Sequence, residues 1–334
     1  MSAPAAAALV RDPLAAEAAA ALPVVAGSTF SRLRTVLVDL LVLTKYRITL
    51  VALFTGYAAI AVEGHYALDW AAVWPCLVAL FSIGGSANTL NQLFEARKDA
   101  LMNRTKARRP MPTGRISVAQ AWSFAALQFA TAEAILLVIY HSPLAALLAL
   151  TTLLYYSVFY TLYLKPRHYL NIVIGGVPGA MGPLIAWAAL TGTLSAAPLA
   201  MFALIFLWTP PHVWALAIKL KDDYARAGIP MLPVVKGVDE TTRQIFIYTV
   251  VMVLATLLLP LLPLLPAAAS VFCAGSTYFA LAVVLGAVFL LWTLVLWKRR
   301  PLLPTMPLFR FSIVYIAALF VGMVVDAIAK GGRS

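Results

Sequence analysis

Nine apolar runs divide this chain, near 43–62, 71–94, 119–140, 143–164, 170–190, 197–218, 245–264, 272–296 and 309–329. A helix of about 20 residues crosses the roughly 30 Å hydrocarbon core of a bilayer, and each run is about that long. With 63% hydrophobic and 11% charged residues among 334, the chain has too few polar side chains to cover a soluble globule of its size. The expected fold is all-α, a polytopic membrane bundle of nine transmembrane helices. Several runs carry internal Gly or Pro: Gly175, Gly176, Pro178, Gly179, Gly182 and Pro183 in the fifth, Pro210 and Pro211 in the sixth. In a membrane such residues allow close helix contact or kinks, so they predict packing or a cavity, not a break.

The bases give the orientation. Of 25 Lys and Arg, 5 lie before or at the first run, 7 after the second, 2 after the fourth, 5 after the sixth, 4 after the eighth and 2 in the tail. The loops after the first, third, fifth and seventh runs hold none. Short loops rich in Lys and Arg stay in the cytoplasm, which predicts the N-terminus inside and the C-terminus outside. The formal charge of +12 is therefore a matter of membrane side, and no nucleic acid partner is expected. Residues 1–36 read as a disordered cytoplasmic tail, alanine-rich and interrupted by Pro4, Arg11, Asp12, Pro13, Glu17 and Pro23, ahead of a nine-helix domain over 37–330. The tail lacks the basic start and unbroken apolar core of a secretory signal, and Arg11 stands alone before Ser28 where a mitochondrial presequence would be Arg- and Ser-rich. The expected location is the bacterial cytoplasmic membrane. Cys76 and Cys273 open apolar runs and read as packing residues.

Chemistry concentrates between Asn88 and Arg115. Asn91, Glu95 and Asp99 stand four apart, so on a helix they share one face, with Asn88 on the same face. Arg97, Lys98, Arg104, Lys106, Arg108, Arg109 and Arg115 follow, seven bases in nineteen residues. Oxygen ligands beside bases suit a polyanion carried with Mg²⁺, which binds through few carboxylates plus substrate phosphates; a diphosphate fits. The competing reading is a cytoplasmic loop whose acids pair its bases. A second acid pair, Asp222 and Asp223, follows the sixth run on the same side, so the two clusters could enclose one site. A pumped ion would call for acids near the bilayer midplane, where only Glu133 lies, read as an acid hydrogen-bonded inside the bundle.

The sequence NxxxExxxD followed by MxRT resembles the first aspartate-rich motif of the UbiA superfamily of intramembrane prenyltransferases, in the form seen in its heme O synthase branch. LTKYRITL, YTLYLKPRHYLNIVIGGVPGAMGPLIAWAALTG and LWTPPHVWALAIKLKDDYARAGIPMLPVVKG resemble that branch too, so the likeness covers roughly 43–330. It implies a central cavity capped by the cytoplasmic loops after the second and sixth spans, with farnesyl diphosphate and heme b as substrates and Mg²⁺ as cofactor. By the same resemblance the metal falls to Asn91, Glu95, Asp99 and Asp223, with Asp222 completing the catalytic carboxylates. The diphosphate falls to Arg104, Lys106, Arg108, Arg109, Lys165 and Lys219. Tyr46, Tyr160 and Trp208 are candidates to shelter an allylic cation, and Asn88, His212 and Trp214 to contact isoprenoid or porphyrin. The partners implied are the lipid bilayer and a heme A synthase or oxidase-assembly proteins.

Three departures stand out. Glu95 occupies a position where Asp is common, Tyr46 stands where Pro is usual, and one extra residue between Thr105 and Pro110 leaves Arg108 and Arg109 as alternatives for facing the phosphates. Two other functions remain beside this one: prenylation of a quinone precursor such as 4-hydroxybenzoate, and nine-span transport of an organic anion. Against the transporter, the sequence shows no inverted repeat.

Overall fold

The computed structural model describes residues 29–264, 274–299 and 305–331. Residues 1–28 of the expected tail, the loop after the seventh span at Ala268, and Cys273 lie outside them. Among the described residues there is no strand, and nine helices are long and apolar enough to cross a membrane. In chain order these spans are Tyr46–Glu63, Trp70–Phe94, Val118–Ile139, Pro143–Leu164, Asn171–Thr191, Ala196–Lys219, Gly237–Leu261, Ser276–Lys298 and Thr305–Lys330. This is a multi-pass membrane protein.

Local chemistry sets the span starts. The Asp69 carboxylate accepts from the N–H groups of Ala71 and Ala72, Ser117 forms a reciprocal capping box with Gln120, and the Ser142 hydroxyl accepts from Ala145 N–H. A further helix, Thr29–Leu43, precedes the first span and takes in residues 29–36 of the stretch read as tail. It buries Asp39 and Leu43 while exposing Leu33, Val36, Leu37, Val38 and Leu41. An apolar outer face on a helix of this kind suits the membrane surface.

Three expectations need correction. The fifth span is interrupted: it consists of Asn171–Ile174, Val177–Ala180 and Gly182–Thr191, with breaks at Gly175–Gly176 and Met181. Six Gly and Pro residues in nine positions leave too few backbone donors and too little stiffness for a continuous helix there. Pro210 and Pro211 instead sit inside an unbroken sixth span. The seventh span begins at Gly237, eight residues before its apolar run, because the polar turn with Asp239 and Glu240 continues the helix and suits its positive end. Glu133 also differs from its reading, since its Oε1 is buried without a hydrogen-bond partner.

Two apolar cores form the bundle. One joins side chains of the first five spans, the other side chains of the first and of the fifth to ninth, so the first and fifth spans serve both. They meet closely at Gly182, where a Cβ would lie 3.0 Å from the Ala52 carbonyl oxygen. Cys76 is fully buried in the first of these cores.

Candidate active site

The second span ends at Phe94 and a short helix, Ala96–Leu101, continues it after a break at Glu95. Helical bonding bridges the break: Glu95 N–H donates to Asn91 O (3.0 Å) and Asp99 N–H to Glu95 O (2.8 Å). Asn91, Glu95 and Asp99 therefore stay in one column, and all three are buried, at 1%, 4% and 0% exposure.

Three cations meet this column. Lys45 donates through Nζ to Asn91 Oδ1 (2.7 Å) and to the Tyr156 hydroxyl (3.3 Å). Lys165 pairs with Glu95 at 2.5 Å, and the Arg109 guanidinium pairs with Asp99 Oδ2. Asn91 in turn donates through Nδ2 to Thr161 Oγ1 (2.9 Å). Two carboxylates against three cations leave the site short of one negative charge, an arrangement that favours an incoming anion.

The ionisation of each group follows from this crowding. Burial pushes Glu95 up, but the Lys165 charge and hydrogen bond, with help from Lys45 and Arg109, hold it below its ordinary value. Burial raises Asp99 despite the opposing Arg109 charge. Lys45 is well below its ordinary value, first because it is enclosed and then because Arg109 repels its charge.

Lys45, Tyr156 and Thr161 did not emerge from the sequence. Tyr156 and Thr161 lie in the final stretch of the fourth span, Tyr155–Leu164, which is wound as a π-helix. Such widened turns often occur at functional sites, and this one brings Tyr156, Tyr160, Thr161 and Lys165 alongside the second span. Tyr160 stacks on Tyr156 with ring centroids 5.4 Å apart, and the Lys165 ammonium sits 6.0 Å from its centroid. Its ring lies against Gly175, where a Cβ would come within 2.3 Å.

The other candidates fall in several places. Asn88 donates to Thr44 O and Thr49 Oγ1, tying the start of the first span to the second. Tyr46 is exposed, its hydroxyl accepting from Arg47 Nε. Arg104, Lys106, Arg108, Lys219 and Asp222 are exposed. Arg108 is engaged through its backbone, its N–H donating to Thr105 O and its carbonyl accepting from Arg115, whereas the Arg109 guanidinium meets Asp99, so Arg109 is the arginine of that pair that meets the acids. Arg115 also forks onto Asp39, with Nε and Nη2 both bonded to that carboxylate. Asp223 is buried, and its oxygens accept from the backbone N–H groups of Asn103 (3.3 Å) and Arg104 (3.2 Å) and from Arg226.

His212 and Trp214 stand on different faces of the sixth span. The His212 ring lies between Trp208 and Phe309, centroids 4.1 and 4.3 Å away, and its Nδ1 is 2.7 Å from Ser312 Oγ. Because the Ser312 hydroxyl donates to Phe309 O, it accepts from Nδ1–H, which leaves the lone pair on Nε2. Trp208 Nε1 donates to Ser312 O. Trp214 packs edge-on against Tyr248 and lines a cavity of about 460 Å³ with Tyr169, Lys236, Glu240 and Gln244. An apolar cavity of about 330 Å³ runs between the first and ninth spans, lined by Leu50, Val51, Phe54 and Ile316 among others.

Among the described residues no group of three or more His, Cys, Asp and Glu side chains could hold a metal alone. Mg²⁺ does not require one, since it takes one or two carboxylates and completes its shell with water and phosphate oxygens. The column supplies that donor set, including Asp99 Oδ1, a buried carboxylate oxygen with no hydrogen-bond partner.

Comparison with known proteins bears on the family and the fold. The UbiA prenyltransferase family model matches residues 52–321. The chain is 42% identical over 293 residues to a protoheme IX farnesyltransferase of Gloeothece citriformis, covering 86% of each. It is 40% identical over 289 residues to that of Alkalilimnicola ehrlichii, covering 86% of this chain and 92% of that one. The fold is similar to a digeranylgeranylglyceryl phosphate synthase (TM-score 0.69, 18% identity, 88% of this chain and 99% of that one). It is also similar to a UbiA homolog from Archaeoglobus fulgidus bound to GPP and Mg²⁺ (TM-score 0.54, 19% identity, 85% and 99%). With a family model matching most of its length and relatives at about 40% identity, the chain belongs to the UbiA prenyltransferase family.

Proposed function

We propose that this protein transfers the farnesyl group of farnesyl diphosphate to a vinyl group of protoheme IX, giving heme O and diphosphate. The observation that carries the transferase reading is the buried column of Asn91, Glu95 and Asp99 with Lys45, Lys165 and Arg109 gathered on it. The choice of acceptor rests on the protoheme IX farnesyltransferases it resembles along 86% of its length.

Asn91 Oδ1, Glu95 and Asp99 Oδ1 would hold Mg²⁺, which supplies charge neutralisation of the diphosphate. Lys165 and Arg109 then have a second task, to leave their acidic partners in part, as Lys45 leaves the Asn91 amide, and donate to the diphosphate oxygens as negative charge grows there. The bond between farnesyl C1 and the diphosphate oxygen breaks, and the electron pair leaves with the diphosphate. The stacked faces of Tyr156 and Tyr160 favour the allylic cation left behind. The vinyl group of the porphyrin attacks that carbon, a new C–C bond forms, and water adds to the resulting cation with loss of a proton, leaving the hydroxyl. The apolar cavity between the first and ninth spans suits the isoprenoid chain, and His212 presents Nε2 as the atom for a porphyrin contact. The site lies on the cytoplasmic side of a bacterial inner membrane, with the N-terminus inside.

Purified protein given heme b, 4-hydroxybenzoate, farnesyl diphosphate and Mg²⁺ together should prenylate heme alone, as read by mass analysis of both acceptors. His212→Ala should reduce that reaction more than it reduces farnesyl diphosphate binding. Prenylated benzoate with unchanged heme would overturn the acceptor assignment.

A further inference from the structure

The loop after the second span is fastened by the loop after the sixth. Met102, 1% exposed, belongs to the same apolar core as Tyr224, Ala227, Ile229, Met231 and Leu232. The next two backbone N–H groups, of Asn103 and Arg104, both donate to the Asp223 carboxylate, one to each oxygen. Arg226, one turn along the short helix Lys221–Arg226 that carries Asp223, lies on Oδ1 and holds the carboxylate in place. From this anchor the chain turns tightly: Thr105 and Lys106 N–H donate to Met102 O, and Arg109 N–H to Thr105 O. Thr105 Oγ1 closes the loop back onto Asp99 O at 2.7 Å. The last link is the Arg109 guanidinium on Asp99.

We propose that Asp223 is a positioning residue, the latch that holds the Met102–Arg109 loop over the acid column and so sets Arg109, and that it is not a ligand of the metal. This departs from the metal role expected of Asp223 and rests on the reading of the column as a metal and diphosphate site. Both of its oxygens are tied to backbone amides of the neighbouring loop, and Oδ1 also to a guanidinium, so coordination would have to undo the loop's own anchor, whereas Asp99 Oδ1 has no hydrogen-bond partner. The latch joins the two loops into one lid, whose closing sets how tightly the diphosphate is held.

The test uses the full-length protein in lipid nanodiscs, with Asp223→Ala and the more conservative Asp223→Asn beside Asp99→Ala. Hydrogen exchange at Asn103 and Arg104 should quicken about tenfold or more in Asp223→Ala, the loss of one or two charge-assisted bonds, and less in Asp223→Asn. KM for farnesyl diphosphate should rise in the same order. Mn²⁺ affinity measured by electron paramagnetic resonance with diphosphate present should stay within about twofold of the parent in both, and fall at least tenfold in Asp99→Ala. Unchanged exchange in the loop, or an Mn²⁺ loss in Asp223→Asn equal to that of Asp99→Ala, would overturn the latch. Intact Mn²⁺ binding in Asp99→Ala would instead overturn the metal site while the exchange data still decide the latch.

Discussion

Lys45 holds a left-handed backbone conformation, φ 48°, at the joint between the surface helix and the first span. For a residue with a side chain this costs on the order of 1 kcal/mol, and its ammonium offsets the cost by bonding Asn91 and Tyr156. Lys45→Gly should therefore keep or raise the unfolding temperature, yet lose about 10- to 100-fold in turnover, as should Lys45→Met. Thermal unfolding and heme prenylation assays on the two variants separate strain from chemistry. Glu95 gives a pH prediction. Its folded value lies below the ordinary one, so its ion pair stabilises the protein throughout the range above ordinary carboxylate titration and is lost only as pH falls through that lowered value. Lys165→Met removes the main opposing charge and leaves burial dominant, so Glu95 should take up its proton at higher pH, visible as a carboxylic acid band in infrared difference spectra against Glu95→Gln. Asn91, Glu95 and Asp99 were legible in the sequence because a spacing of four is a property of one helix. Lys45 and Tyr156 were not, since their meeting joins positions 111 residues apart and depends on the first and fourth spans flanking the second.

Between neighbouring helices, Asp326 shows how one span can define the start of another. From within the ninth span its carboxylate accepts from the N–H groups of Gly275 (2.9 Å), Thr277 (3.1 Å) and Tyr278 (2.8 Å), capping the eighth. Asp326→Ala should cost about 1–2 kcal/mol, lower the midpoint of thermal unfolding and fray the first turn of the eighth span in hydrogen exchange, without changing the substrate preference. Span positions were readable because length and hydropathy alone specify them. Their internal form was less so. Gly and Pro broke the fifth span but not the sixth, where Pro210 and Pro211 are held among buried neighbours on a longer unbroken helix. The π-wound end of the fourth span, which carries Tyr156, Tyr160 and Thr161 and is followed by Lys165, has no signature in composition.

For the molecule as a whole, the distribution of bases predicts that single cysteines at Lys106 and Arg226 label only from the cytoplasmic side, and those at His65, His141 and Ser195 only from outside. Outside labelling at Lys106 would carry both acid clusters across the membrane and remove the function proposed for them. The helix Thr29–Leu43 adds a consequence for the environment in which the enzyme works. It turns an apolar flank outward, its Asp39 is clamped by Arg115 of the basic loop, and it leads directly into Lys45, bonded to the Asn91 amide oxygen. Laid along a lipid surface, a rod of about 22 Å would be a lever whose fulcrum is Lys45. On that footing the plane of the bilayer would be the datum from which Lys45 is set on Asn91, and turnover should be lower in a curved detergent micelle than in flat lipid nanodiscs, as read by the heme prenylation assay in each.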